Sequence, residues 1–448
     1  VPQIPVAANR DLDEIILSGK ISVVTNFNQT SYFIYKGEPM GFYFELLRRF
    51  ADHLDLDLEI IPENDIDKAY QLLQSGEADI IAMGLTVNSE RKELMNFSVP
   101  VFETRQVLVQ RKPDSWRSMR VHEIEKALIR SQLDLADKSV YVQKGSSFKQ
   151  SLLSLEKESG EDIDIVEAPF DSEELVKQVS KGEIPFTVCD EKIARLMNAL
   201  YPNLDFSTPV SFPQKQALGV RKEGSEVLLK EIDTWLTRFT ASDEYVLLDK
   251  KYFKGYRMAR MAGSDYFSNN TGKVSPFDEL IKKYSDTIGW DWKLVAALIY
   301  QESRFDPAVE SGRGAYGLMQ VMPETGRHFG LDVTGSVDNN IRAGISYIRF
   351  LDGIFVKKIP DNEERIKFIL ASYNAGQGHI IDAMKLASKN GFDPGKWDGN
   401  VALFLAKKSE KAYYTDPVVR NGLLKGGAAV NSYVDAVLER YDHYKNLK

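Results

Sequence analysis

The apolar pattern of this chain changes period once, near residue 250, and the two sides of that change demand different architectures. Before it, short apolar runs alternate with amphipathic segments. Ile21–Thr25, Leu56–Ile61 and Ala78–Met83 read as strands, and Phe44–Leu54 reads as a helix with Leu46, Leu47 and Phe50 on one side. Strand–helix–strand alternation of this kind predicts an α/β sheet with crossover helices. A second unit repeats the alternation: strand Ser139–Gln143, a turn at Gly145, a helix from Ser147, strand Ile163–Glu167 and a helix from Glu173. After Pro209 the chain returns to the first unit and closes it with a helix over Leu228–Phe239. The expected organisation is therefore lobe 1 at about 11–112 plus 209–250 and lobe 2 at about 113–208, within a domain covering 1–250. A cleft between two such lobes is a usual place for a small ligand.

Lys250, Lys251, Lys254, Arg257 and Arg260 form a basic run, followed by a Ser/Asn/Gly-rich stretch to Lys273. Residues 251–274 accordingly read as a solvated connector. Beyond them the 3.6-residue period takes over: Phe277–Ile288, Asp291–Arg304, Thr325–Phe329, Val337–Phe355, Glu363–Asn374, Gly378–Asn390 and Asn431–Lys445 predict a mainly α domain over 275–448. A formal charge of −8 argues against non-specific nucleic-acid binding. Cys189 is the only cysteine and the five histidines are scattered, so no internal disulfide, metal or cofactor is expected. No apolar run reaches the ~18 residues of a membrane-spanning helix. The chain opens at Val1 without a signal-peptide pattern, which reads as a mature or trimmed form.

One carboxylate stands out. Val295, Leu298 and Ile299 follow the spacing of an inward helix face, and the next position on that face is Glu302. Asp306-Pro307 stops the helix, placing Glu302 near its partly negative C-terminal end. Burial and that dipole both favour the protonated form, as a general acid near neutral pH requires. No second carboxylate has a comparable place: Asp306 reads as a cap, and Glu310 and Glu324 fall in polar segments.

Glu302-Ser303, the run Ser311–Gln320, Ser372-Tyr373-Asn374-Ala375-Gly376 and Tyr433-Val434 occur in the order seen in soluble-type lytic transglycosylases, and the C-terminal half resembles that family over roughly 275–448. The resemblance implies a lysozyme-like fold and non-hydrolytic cleavage of the β-1,4 bond between N-acetylmuramic acid and N-acetylglucosamine, leaving 1,6-anhydro ends. It implies Glu302 as acid and base, Ser311 and Tyr373 beside it, and Gln320, Met322, Asn374 and Tyr433 around the substrate. It also implies a periplasmic location, peripheral at the outer membrane. Ser372 and Tyr316 stand where Ala and Leu are frequent in that family.

The first 250 or so residues resemble the amino-acid-binding periplasmic solute receptors. In Gly84–Arg91, Arg91 matches the residue that pairs with a ligand's α-carboxylate, and Thr86 adds a hydroxyl donor. Asp190 matches the position that takes the ligand's ammonium. Gly145-Ser146-Ser147 opens a helix whose backbone N–H groups suit an anion. Tyr43 departs from the usual Gly-Phe-Asp pattern. The two retained charges argue for a ligand with a free amino-acid end, and the fusion to a wall-cleaving domain points to a muropeptide whose occupancy regulates the enzyme. Two other readings remain open at this point: a hydrolytic muramidase, and a solute sensor that only anchors to glycan.

Overall fold

The computed structural model describes residues 10–254, 258, 261, 264, 267–268 and 272–447, which divide into two compact units, one up to Gly272 and the other from Lys273. The first contains thirteen strands among its described residues: β1 Lys20–Thr25, β2 Phe33–Tyr35, β3 Glu38–Met40, β4 Asp57–Pro62, β5 Ile80–Thr86, β6 Met95–Phe97, β7 Phe102–Thr104, β8 Gln106–Arg111, β9 Ser139–Gln143, β10 Asp164–Ala168, β11 Phe186–Asp190, β12 Leu204–Pro209 and β13 Gln214–Arg221. One sheet runs β4-β1-β5-β13-β6 with β7 on β13, the other β10-β9-β11-β8-β12, and β2-β3 is a separate hairpin. The strands linked by crossover helices pair parallel, β1 with β4 and β5, and β9 with β10 and β11. These are the two expected α/β lobes.

The boundary between them falls earlier than the sequence suggests. β8 lies in the second sheet, paired antiparallel with β11 and β12, so the chain crosses between lobes at 104–106 and returns at 209–214. The reason is apolar: Val107, Leu108 and Val109 are all buried in the second lobe's cores.

The reading of 251–274 as a solvated connector is also corrected over its described residues. Lys251, Tyr252 and Phe253 complete a helix, Asp243–Phe253, and Tyr252, Phe253, Met258, Met261 and Phe267 are buried in the core of the first lobe. Phe33 packs against both Tyr252 and Phe267, with ring centroids 6.5 and 4.9 Å away. Burial of each such ring stabilises by about 1.5–3 kcal/mol, which outweighs the polar composition around it. Arg257 and Arg260 of the basic run lie outside the described residues.

The second unit is helical: Asp278–Ser285, Trp292–Ser303, Pro323–His328, Val337–Phe355, Asn362–Ala375, Gln377–Lys389, Ala402–Lys407, Lys411–Tyr414 and Gly427–Lys445. Trp292–Ser303 is its central element. Asp291 caps it by accepting the Lys293 N–H at 2.9 Å. Leu294 through Tyr300 are all buried, so the helix is apolar all round and enclosed, rather than inward on one face. Arg440 of Gly427–Lys445 lays its guanidinium 3.8 Å from the centroid of the Tyr300 ring. Farther along, Lys408 and Asp382, both fully buried, pair at 2.9 Å. Burial opposes ionisation of Asp382, but hydrogen bonds from the Arg420 N–H, the Asn421 side chain and Lys408 outweigh it and hold the carboxyl down to about 2. The loop around Arg420 and Asn421 is thereby pinned to Gln377–Lys389.

Candidate active site and receptor cleft

The central helix ends at Ser303, and the chain leaves it through two left-handed residues, Arg304 (φ 52°) and Phe305 (φ 62°). Consecutive non-glycine residues in that region cost roughly 1 kcal/mol or more each. The strained exit leaves Glu302 half-buried on the last turn. Burial pushes its carboxyl up to about 7, while a hydrogen bond donated by the Tyr433 hydroxyl to Oε1 pulls the other way. Tyr433 comes from Gly427–Lys445, the helix packed along the central one. Its own ionisation is pushed well up by burial and by the nearby Glu302. Asp306, Glu310 and Glu324 are exposed, and Asp306 accepts the Ala308 N–H at 2.9 Å as a turn cap.

Beyond that exit the chain forms a turn from Ser311 to Val321. The Ser311 hydroxyl accepts the Ala315 N–H at 2.9 Å, and Tyr316 and Val321 exchange backbone hydrogen bonds at 3.1 Å. Gln320, itself left-handed at φ 46°, donates its side-chain amide to the Val309 and Gly317 carbonyls at 3.0 and 2.9 Å. Its amide N–H therefore braces the turn. Met322 follows, 41% exposed. The Tyr373 hydroxyl donates to the Met319 carbonyl at 2.7 Å, not to Glu302, although burial and then the nearby Glu302 charge push its ionisation well above the usual value. Asn374 is exposed at the end of its helix. Ser372 is fully buried and its hydroxyl has no hydrogen-bond partner.

Asn340 is the residue that sequence reasoning missed. Only 2% exposed, it accepts the Met319 N–H at 2.9 Å and donates to the Tyr316 and Val333 carbonyls at 2.8 and 3.2 Å. It also explains Gly317. That residue has φ 74°, and a Cβ there would lie 2.5 Å from Asn340 Nδ2. The available signal was a polar residue within the buried stripe Asn340, Ile341, Gly344, Ile345, Ile348.

In the first unit the cleft between lobes gathers Thr86, Arg91, Ser146 and Asp190 around a cavity of about 70 Å³. Arg91 is 8% exposed and donates to the Thr86 carbonyl in its own lobe at 3.1 Å and to the Gly145 carbonyl of the other at 3.0 Å. Burial lowers its pKa to about 10, against the pull of Glu90 and Asp190. Burial pushes Asp190 up to about 7, with Arg91 opposing. The Thr86 hydroxyl accepts from Ser147 and from the Gln216 amide, each at 3.0 Å. Ser146 caps Ser147–Ser159 without a side-chain cap bond, its hydroxyl donating to the Gln143 carbonyl at 2.6 Å. Tyr43 fills the wall here, its hydroxyl pushed well up by burial and by Asp190. Gln106 of β8 and Gln216 of β13, both buried beside the segments that cross between lobes, have no counterpart in the sequence reading.

The lobes also meet through Glu173. Its carboxylate accepts the Gln29 N–H and the Thr30 hydroxyl of the first lobe, each at 2.7 Å. Burial and then Asp171 push Glu173 up to about 8, with those two hydrogen bonds opposing. Among the described residues no group of three or more His, Cys, Asp or Glu side chains stands where it could hold a metal ion, and no helix is long and apolar enough to cross a membrane.

Two family models match. Residues 20–255 match the bacterial extracellular solute-binding proteins, family 3, and residues 279–394 match the transglycosylase SLT domain. Glu302, Ser311, Gln320, Met322, Tyr373 and Asn374 fall inside the second match and Tyr433 beyond it. The chain is 34% identical over 432 residues to a membrane-bound lytic murein transglycosylase F of Desulfosudis oleivorans, an alignment covering 96% of this chain and 91% of the relative. Relatives of the same name from Photobacterium profundum and Vibrio cholerae are each 30% identical, covering 96% and 98% of this chain and 81% and 82% of their own lengths.

Proposed function

The chain belongs to the family of membrane-bound lytic murein transglycosylase F and is a peptidoglycan lytic transglycosylase, and from that premise we propose that Glu302 is the single acid and base of the reaction. The observation that carries this is a half-buried carboxyl on the last turn of an enclosed helix, raised by burial to about 7. At that value it can hold a proton to give and then accept one back.

In the first step Glu302 protonates the bridging oxygen as the bond from the anomeric carbon of N-acetylmuramic acid breaks. The N-acetylglucosamine hydroxyl leaves. The 2-acetamido carbonyl of the same muramic acid supports the cation, in the role a second carboxylate plays in most glycosidases. In the second step the C6 hydroxyl bonds to the anomeric carbon and gives its proton to the Glu302 carboxylate. The 1,6-anhydro ring closes, the acid is restored and no water is consumed. The Tyr433 hydroxyl steadies the ionised form between steps, which its hydrogen bond to Oε1 supports. Tyr373 and Ser311 act through the turn they brace, Gln320 fixes that turn, and Met322 and Asn374 face the substrate. The exposure of Asp306, Glu310 and Glu324 supports this over a hydrolytic muramidase, which needs a second carboxylate to activate water.

The receptor cleft binds a ligand with a free amino-acid end, carboxylate to Arg91 and ammonium to Asp190, with Thr86 and the Ser146 backbone beside them. A muropeptide has that chemistry, and its occupancy regulates the enzyme by binding one lobe arrangement more tightly than another. The protein works in the periplasm, peripheral at the outer membrane, on glycan strands. The test is mass spectrometry of digested cell wall. Wild type should release anhydro ends, lighter than reducing ends by one water, and Glu302→Gln should release none while melting normally. Reducing ends from wild type would establish hydrolysis instead. Turnover unchanged by a muropeptide that calorimetry shows to bind would end the regulatory reading.

A further inference from the structure

The helix Val337–Phe355 carries two aromatic residues one turn apart whose setting the reaction above does not use. Phe350 is 43% exposed, and Tyr347 lies against it nearly parallel, with ring centroids 6.2 Å apart and planes at 15°. A lone exposed Phe needs no explanation. This one joins a cluster of rings that reaches back to Tyr373, which lies near enough to Glu302 to feel its charge. Tyr347 touches Tyr373, ring centroids 5.4 Å apart, and Tyr373 holds the Met319 carbonyl. The Tyr347 hydroxyl donates to Gln377 Oε1 at 3.3 Å. On the other side Met322, 41% exposed, caps the helix Pro323–His328, whose last residue meets Phe350 edge-on at 6.5 Å. One run of ring contacts thus leads from Tyr373 through Tyr347 to Phe350, and the helix that Met322 opens ends with His328 against the same ring.

We propose that Phe350, with Tyr347 and His328, forms a glycan subsite continuous with the site of Glu302, on which an amino-sugar ring of the strand lies by its apolar face. The proposal rests on the placement of the acid at Glu302. An aromatic platform rimmed by a few polar groups is what a sugar requires, because its ring presents C–H bonds on its faces and hydroxyl or amide groups at its edge. The exposed imidazole of His328 and the side chain of Gln377 supply that polar rim. The occupant follows from continuity. A polymer threaded past Glu302 extends beyond the broken bond in both directions, and the surface running outward from Tyr373 and Met322 is where its next rings must lie. The subsite therefore sets the preference for long strands over short ones and leaves the chemical step alone.

The experiment compares wild type with Phe350→Ala and Phe350→Trp in the full chain, on long glycan strands and on a tetrasaccharide of the same repeat. Losing one ring contact should raise KM on long strands roughly fivefold with kcat unchanged, and leave the tetrasaccharide unaffected. Phe350→Trp should restore the wild-type KM. An unchanged KM on long strands, or an equal loss on both substrates, overturns the subsite while cleavage by wild type still stands. Full cleavage by Glu302→Gln would overturn the placement of the acid, and the subsite with it.

Discussion

Removing the Asn340 side chain is the sharpest test of how the active-site turn is held. Asn340→Ala deletes one bond accepted from the Met319 N–H and two donated to Tyr316 and Val333; it strands the buried Met319 N–H and Val333 carbonyl, while the Tyr316 carbonyl keeps the Val321 N–H. An orphaned buried group costs about 1–3 kcal/mol, so two at the low end amount to about 2 kcal/mol. For a unit the size of 273–448, that lowers Tm by about 4–8 °C. Scanning calorimetry should show the loss in the catalytic unit's transition alone, with the receptor unit's transition unmoved. Below the new melting point, kcat should fall on the order of tenfold, because the Met319 carbonyl that fixes Tyr373 is no longer clamped. Gly317→Ala attacks the same clamp from the other side, since its Cβ would fall 2.5 Å from Asn340 Nδ2 at a φ of 74°. The double variant should lose less than the two single losses combined. A Tm shift under about 2 °C with full kcat would refute the reasoning.

Tyr433→Phe removes a hydrogen bond that favours the ionised form of Glu302, so its carboxyl should rise above about 7; the alkaline limb of kcat/KM, set by loss of the acid's proton, should then move to higher pH, and a downward shift would contradict the assignment. Glu173 is raised from 4.5 to about 8, so its stabilising contribution is full below pH 4.5 and lost as pH climbs through about 8. Urea melts of the receptor unit should therefore weaken over that window in wild type and flatten in Glu173→Gln, whereas parallel pH profiles for the two would exclude Glu173 as the cause.

Much of the fold is legible in the sequence itself. The period change near 250 separated the α/β part from the helical part, and apolar spacing singled out Glu302 without help from its neighbours in space. Its partner Tyr433 is 131 residues away, and nothing local marks it; only the family resemblance pointed there. Arg91 and Asp190 rest on resemblance in the same way, while Gln106 and Gln216 carry no local signal because β8 and β13, which flank the crossings between lobes, take their surroundings from distant partners. The boundary at 104–106 escaped for a related reason. β7 ends at Thr104 and β8 begins at Gln106, one residue apart, and what separates them is their pairing partners. The helix was expected to bury one face, yet it is enclosed on every side, since amphipathic spacing reports a minimum of burial and not its extent. Tyr252 and Phe253 were overlooked because the lysines beside them dominate a reading based on local composition.

Those same aromatic residues bear on how the gene is divided. A recombinant receptor terminated at residue 250 would carry away Tyr252, Phe253, Met258, Met261 and Phe267, baring Phe33 and Phe42 to water. Extending the cut to Gly272 keeps that wall in place. Insolubility of the shorter fragment would then report a missing flank of the binding fold, not a receptor that depends on its enzyme.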